Sequence, residues 1–91
     1  MRNLRAYYSA SVDDFLQQSD KEILGIIHSN DSFSSTTIQQ GNTWEYEIDI
    51  LKNQLQDFEE GRIIFEYTIP RMGKRVDAVL LYKNIVFILE F

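Results

Sequence analysis

The chain has 91 residues, 44% hydrophobic and 13% aromatic, which is enough for one small folded domain and too apolar for a disordered one. It has no cysteine, which excludes disulfides and cysteine-type zinc sites, and a net charge of −5, which argues against a protein that coats DNA by charge alone. No stretch approaches the roughly 18 apolar residues of a membrane span and no signal-peptide run follows residues 1–5, so a soluble, cytoplasmic protein without a membrane partner is expected.

Residues 4–10 read as a short extended piece around Tyr7 and Tyr8. Ser11 has the character of a helix N-cap, with Asp13 and Asp14 in the first turn, where acids complement the helix dipole. Val12, Phe15 and Leu16 give that short helix an apolar side. Ser19-Asp20-Lys21-Glu22 has capping-box spacing before Ile23, Leu24, Ile26 and Ile27, which predicts a second helix over residues 20–28. Residues 29–37 are rich in Ser, Thr, Asn and Asp and read as a loop.

Trp44, Ile48, Leu51, Leu55 and Phe58 then recur at spacings of 4, 3, 4 and 3, the signature of an amphipathic helix. Ile38 and Gly41 extend the stripe backwards. The helix starts either near Thr36 or Thr37 or after Asn42, and Gly61 is placed to stop it. Beyond Gly61 the pattern becomes that of strands, over residues 63–69, 76–82 and 85–91. Turns fall at Arg71-Met72-Gly73-Lys74 and at Lys83-Asn84. Apolar residues at nearly every position of the last two strands imply cover on both faces. The expected architecture is α+β: a mainly helical segment over 1–60, then a three-stranded antiparallel β-meander over 61–91, together one partial domain.

Two acids stand out in the meander. If Lys83-Asn84 is a two-residue hairpin loop, Tyr82 pairs with Ile85 and Asp77 falls directly opposite Glu90, with Cβ atoms about 4.5–5.5 Å apart. Two carboxylates so placed repel unless one is protonated or a cation lies between them, and Mg²⁺ is the natural divalent candidate. A three-residue loop would instead set Asp77 opposite Phe91 and send the acids to different faces. In the alternative reading Asp77 pairs with Lys74 or Arg75 and Glu90 is solvated.

Charge is uneven along the chain. Residues 1–60 carry 4 basic and 11 acidic side chains, and residues 61–91 carry 5 basic and 3 acidic ones. A polyanion would therefore meet the C-terminal third, where Arg71, Lys74 and Arg75 could hold phosphates or simply form a solvated turn. His28, the single histidine, reads as a helix-end surface residue. Phe65, Tyr67, Tyr82, Phe87 and Phe91 read as core. The lack of cysteine excludes Cys-His nucleophile pairs, and no partners for a Ser-His-Asp arrangement stand near His28 in the sequence.

The run from Arg71 through Val76-Asp77, followed by an apolar hairpin and Glu90-Phe91, resembles the heart of a PD-(D/E)XK nuclease, a restriction-endonuclease-like fold. That family has a helix, a three-stranded meander, then a further helix and strand. Val76-Asp77 stands for the Pro-Asp step and Glu90-Phe91 for the start of the Glu-x-Lys motif. More specifically, Trp44-xx-Glu47-Ile48-xx-Leu51, Phe65-Glu66-Tyr67-Thr68-Ile69-Pro70-Arg71 and Val76-Asp77 are similar to the N-terminal region of an uncharacterised bacterial family. Its members carry a Schlafen-type DNA/RNA helicase domain further along the chain.

The resemblance implies that Asp77 and Glu90 are metal ligands and that a helix-borne acid completes the catalytic set. Glu47 is the match, sharing the face of Trp44, Ile48 and Leu51, although such an acid can also merely cover a core boundary with its stem. The implied activity is Mg²⁺-dependent hydrolysis of DNA or RNA beside a helicase. The family's lysine would follow Phe91, so the expectation for these residues is an inactive, metal-binding remnant. The alternative is a non-catalytic module that binds nucleic acid or protein. Apolar strand faces left uncovered predict a homodimer, with exchange of elements as one route.

Overall fold

The computed structural model describes residues 5–30 and 38–91, with side chains in the second stretch from residue 43 onward. Strand β1 (Tyr8–Ser11) leads directly into helix α1 (Val12–Gln17). The Ser11 hydroxyl accepts the Asp14 N–H at 3.1 Å, and Asp13 and Asp14 occupy the first turn, as an N-cap requires. Helix α2 (Asp20–Asn30) begins the same way. The Ser19 hydroxyl accepts the Glu22 N–H at 3.1 Å and donates to the Glu22 carboxylate at 3.3 Å. The second helix thus runs two residues beyond His28, into the predicted loop. The rest of that loop, and Leu4 of the extended piece, lie outside the described residues.

Helix α3 (Ile38–Leu55) runs through Gly41, which settles its start in favour of the longer version. Of the predicted stripe, Trp44, Ile48, Leu51 and Leu55 are buried, while the side chains at 38 and 41 lie outside the described residues. Gly61 does not stop this helix, which ends six residues earlier at Leu55. Gly61 instead has φ +119° at the entrance to strand β2 (Arg62–Ile69), where its carbonyl accepts the Val12 N–H at 2.9 Å. A Cβ there would lie 2.8 Å from the Leu81 carbonyl oxygen, so the close approach of backbones selects glycine.

Strands β3 (Lys74–Tyr82) and β4 (Ile85–Leu89) complete an antiparallel sheet of order β1-β2-β3-β4. Among the described residues the sheet has four strands where the sequence predicts three, because Tyr8–Ser11 pairs with β2 from Tyr8↔Phe65 to Ser11↔Arg62. Four residues of Tyr, Ser and Ala carry too little periodicity to announce a strand, and β1 is made by its partner. The β3–β4 hairpin closes on Tyr82↔Ile85, so Lys83-Asn84 is a two-residue loop. Its positive φ, +55°, falls on Lys83.

Among the described residues, one buried core cluster joins Trp44, Ile48, Leu51 and Leu55 of α3 to Ile63, Phe65, Ala78 and Leu80 of the sheet, with Phe15, Ile23 and Ile27 from the shorter helices. Each buried Val, Leu, Ile or Phe of the cluster contributes about 1.5–3 kcal/mol through removal from water. Lys52 fastens the helices together. Its ammonium pairs with Asp20 at 2.9 Å and donates to the Gln18 carbonyl. The β4 strand departs from expectation, since Ile85, Val86, Phe87 and Ile88 are 53, 60, 40 and 52% exposed. A strand at a sheet edge has one neighbour only, so an apolar run need not imply cover. Phe87 and Phe91 are accordingly exposed rather than core, whereas Phe65 is buried and Tyr67 and Tyr82 are half-buried. No helix among the described residues is long and apolar enough to cross a membrane.

Candidate carboxylate site

The registers of the three strand pairs converge on one transverse row. One step beyond Ala78↔Leu89, Asp77 lies opposite Glu90. Between Phe65↔Ala78 and Tyr67↔Val76, Glu66 lies opposite Asp77. One step beyond Tyr8↔Phe65, Tyr7 lies opposite Glu66, and its N–H donates to the Phe65 carbonyl at 3.0 Å. The row across the sheet is therefore Tyr7, Glu66, Asp77, Glu90.

The ladder is distorted along this row. Glu66 has φ +55° in the middle of β2, a left-handed conformation that costs an ordinary residue on the order of 1–3 kcal/mol. Strict alternation would put Glu66 on the face opposite Phe65. The distortion instead brings it to the core side, where its Oε1 accepts the indole N–H of Trp44 at 2.8 Å in a buried setting. Trp44 is thereby fixed from the sheet, and Tyr7 packs edge-on against it at 6.2 Å between ring centres.

Asp77 and Glu90 are joined through backbone groups. Asp77 Oδ2 accepts the Phe91 N–H at 2.8 Å, and the Asp77 N–H points at Glu90 Oε2 at 3.4 Å, a long contact. The end of β4 is thus tied to β3 by side chains where the regular ladder stops. No ion pair links either acid to Lys74 or Arg75.

Glu47 approaches from α3. It is 1% exposed, and its Oε1 has no hydrogen-bond partner. Burial pushes its carboxyl up to about 8, with further upward pressure from Asp77, Glu66 and Glu90 in that order. A carboxyl so placed carries a proton near neutral pH or waits for a cation. Glu45, two residues earlier and on the other side of the helix, is exposed.

Carboxylate oxygens are suited to a hard divalent ion, and the orphaned Oε1 of Glu47 is a buried acceptor that such an ion would satisfy. Among the described residues, no three His, Cys, Asp or Glu side chains stand together so that they could hold a metal ion. Asp77, Glu90 and Glu47 offer carboxylate oxygens around this row without forming such a group.

The three basic residues have different fates. Arg71 (φ +72°) and Lys74 are exposed at the β2–β3 turn. Arg75 lies with its guanidinium 4.6 Å from the Tyr7 ring centre and donates to the Tyr7 hydroxyl at 2.6 Å. His28 is exposed at the end of α2, with its ring 5.1 Å from that of Trp44.

Glu66 is the site residue that pattern reading does not single out. Alternation places it with Ile64 and Thr68, away from the core, and its positive φ has no sequence marker in a non-glycine residue. The available signal is an acid in the middle of an otherwise apolar strand run. Compared with known protein families, curated proteins and solved structures, the chain matches none.

Proposed function

We propose that this chain is the carboxylate-bearing part of a PD-(D/E)XK nuclease-like domain with a restriction-endonuclease-like core, serving metal-dependent phosphodiester hydrolysis of DNA or RNA beside a helicase. The observation that carries this reading is Glu47 Oε1, a buried acceptor without a partner, on a carboxyl whose ionisation feels Asp77, Glu66 and Glu90. A purely structural acid would be paired or solvated.

In this reading Asp77 and Glu90 hold a Mg²⁺ ion and Glu47 completes its surroundings from the helix. When bound, the ion lowers the pKa of a water and stabilises charge on a phosphoryl group. The Phe91 N–H fixes the rotation of the Asp77 carboxylate. The bond between Glu66 and Trp44 holds the helix that carries Glu47 against the sheet. Arg71 and Lys74 supply exposed positive charge at the same end of β3 for a phosphate backbone.

Calorimetric titration with Mg²⁺ and Mn²⁺ tests the site. Binding that Asp77→Asn or Glu90→Gln removes supports it, and no binding by the unaltered chain overturns it. A longer polypeptide carrying the Glu-x-Lys lysine should cleave nucleic acid. Inertness of that polypeptide on all nucleic acids, with metal binding intact, would instead favour a non-catalytic nucleic-acid-binding module.

A further inference from the structure

The β2–β3 turn is the most cationic stretch of an acidic chain. Residues 67–76 hold three basic side chains and no acid, against a net charge of −5 overall. Ile69 pairs with Lys74, so Pro70-Arg71-Met72-Gly73 is a four-residue loop, and all four residues are exposed. The Gly73 N–H donates to the Ile69 carbonyl at 3.2 Å, and Arg71 and Gly73 take φ of +72° and +64°. The tip is thus a closed turn that holds its side chains in a fixed order. Met72 is 67% exposed, more than any other large hydrophobic side chain among the described residues. Arg71 and Lys74 stand on either side of it in sequence. Arg75 is engaged elsewhere, with its guanidinium on the Tyr7 ring.

Given the nucleic-acid substrate proposed for the carboxylate row, we propose that this turn is a wedge for the minor groove of double-stranded DNA. Met72 partly separates two stacked base pairs, and Arg71 and Lys74 hold phosphates of the two strands. Methionine is among the apolar side chains that proteins insert between base steps. The groove is about 6 Å wide, which leaves room for one such side chain with a cation reaching each wall.

The turn fits other nucleic acids less well. Single strands are held by aromatic rings on which bases stack, and residues 70–74 contain none. The minor groove of duplex RNA is wide and shallow, so it gives a lone side chain no walls. Lys74 is three residues from Asp77 along β3, about 10 Å, or roughly three base pairs of axial rise. The duplex is therefore distorted beside the carboxylate row.

A duplex DNA carrying a fluorescent adenine analogue that brightens when unstacked reads the wedge, with EDTA present so that no metal takes part. Binding of the chain should raise the fluorescence. Met72→Ala should remove that rise and weaken duplex binding on the order of tenfold. It should leave the salt dependence as it is, because no charge is lost, whereas Arg71→Ala should lower that dependence by about one ion. Both side chains are exposed, so circular dichroism should be unchanged in both variants. No binding to duplex DNA at micromolar protein and low salt overturns the proposal. So does tighter binding to single strands or to duplex RNA, or a Met72→Ala variant with the parent's affinity and fluorescence. Wedge binding in EDTA by a chain that takes no Mg²⁺ in calorimetry supports the wedge and overturns only the metal site.

Discussion

Asp77 and Glu90 face each other across the β3–β4 hairpin and are held by each other's strand: Asp77 Oδ2 takes the Phe91 N–H, and the Asp77 N–H reaches toward Glu90 Oε2. Two like charges set opposite in a sheet oppose pairing, so their juxtaposition is a cost that a cation can remove. Mg²⁺ or Mn²⁺ should therefore raise the melting temperature of the chain in a concentration-dependent way. Asp77→Asn and Glu90→Gln should each raise stability without metal and abolish the metal response. A melting temperature indifferent to both ions would remove the cation from this site.

Glu47 gives the site a pH signature. Its folded-state value of about 8 exceeds its ordinary 4.5, with burial as the first cause. Above about pH 4.5 the unfolded chain gives up this proton while the folded chain keeps it. Stability therefore falls as pH rises from about 4.5 to about 8 and levels off beyond. The loss is on the order of a few kcal/mol, because a carboxyl this buried is little screened by solvent. Glu47→Gln should flatten that slope and raise the melting temperature at pH 8. An identical pH profile in the variant would show that Glu47 does not titrate within this window.

The two acids of the hairpin were legible because a two-residue loop fixes register, and register fixes which residues face each other. Glu47 was legible from the helix stripe, which sets Trp44, Glu47, Ile48 and Leu51 on one face. Glu66 was not, because its place depends on a left-handed residue that no pattern encodes. Strand β1 was only half legible: an extended piece can be read from Tyr7-Tyr8, but pairing with β2 is a tertiary event. The end of α3 was misplaced for a similar reason. Phe58 continues the apolar stripe, yet it packs on Tyr82, 4.8 Å between ring centres, from a turn beyond the helix.

The bond between Glu66 and Trp44 can be tested without any ligand. Glu66→Ala leaves the Trp44 indole N–H buried without its acceptor and keeps a side chain in the left-handed conformation. The expected loss is about 1–3 kcal/mol. Glu66→Gln keeps an acceptor and should cost less. The chain has one tryptophan, so fluorescence reports both unfolding and the local change. Equal stability of the alanine and glutamine variants would mean that the bond contributes nothing.

Gly61 offers a backbone test far from the acids. Any Cβ meets the Leu81 carbonyl oxygen at 2.8 Å, and φ +119° is closed to side chains. Gly61→Ala should destabilise the domain by on the order of 2 kcal/mol or more in urea denaturation. A neutral substitution would show that β2 enters the sheet by another path.

The basic residues separate into anchors and contacts. Arg75 stacks on Tyr7 and donates to its hydroxyl, and Tyr7 in turn packs against Trp44. Arg75→Ala should therefore lower stability, by about 0.5–2 kcal/mol from the lost cation–π contact and hydrogen bond. Arg71 and Lys74 are exposed, so Arg71→Ala and Lys74→Ala should leave stability nearly unchanged and weaken binding to single- or double-stranded nucleic acid. The salt dependence of that binding should fall by about one ion per removed charge. Fluorescence anisotropy with a labelled oligonucleotide at several salt concentrations reads both quantities. If both alanine variants bind as the parent does, with the same salt slope, the β2–β3 turn is an ordinary solvated turn.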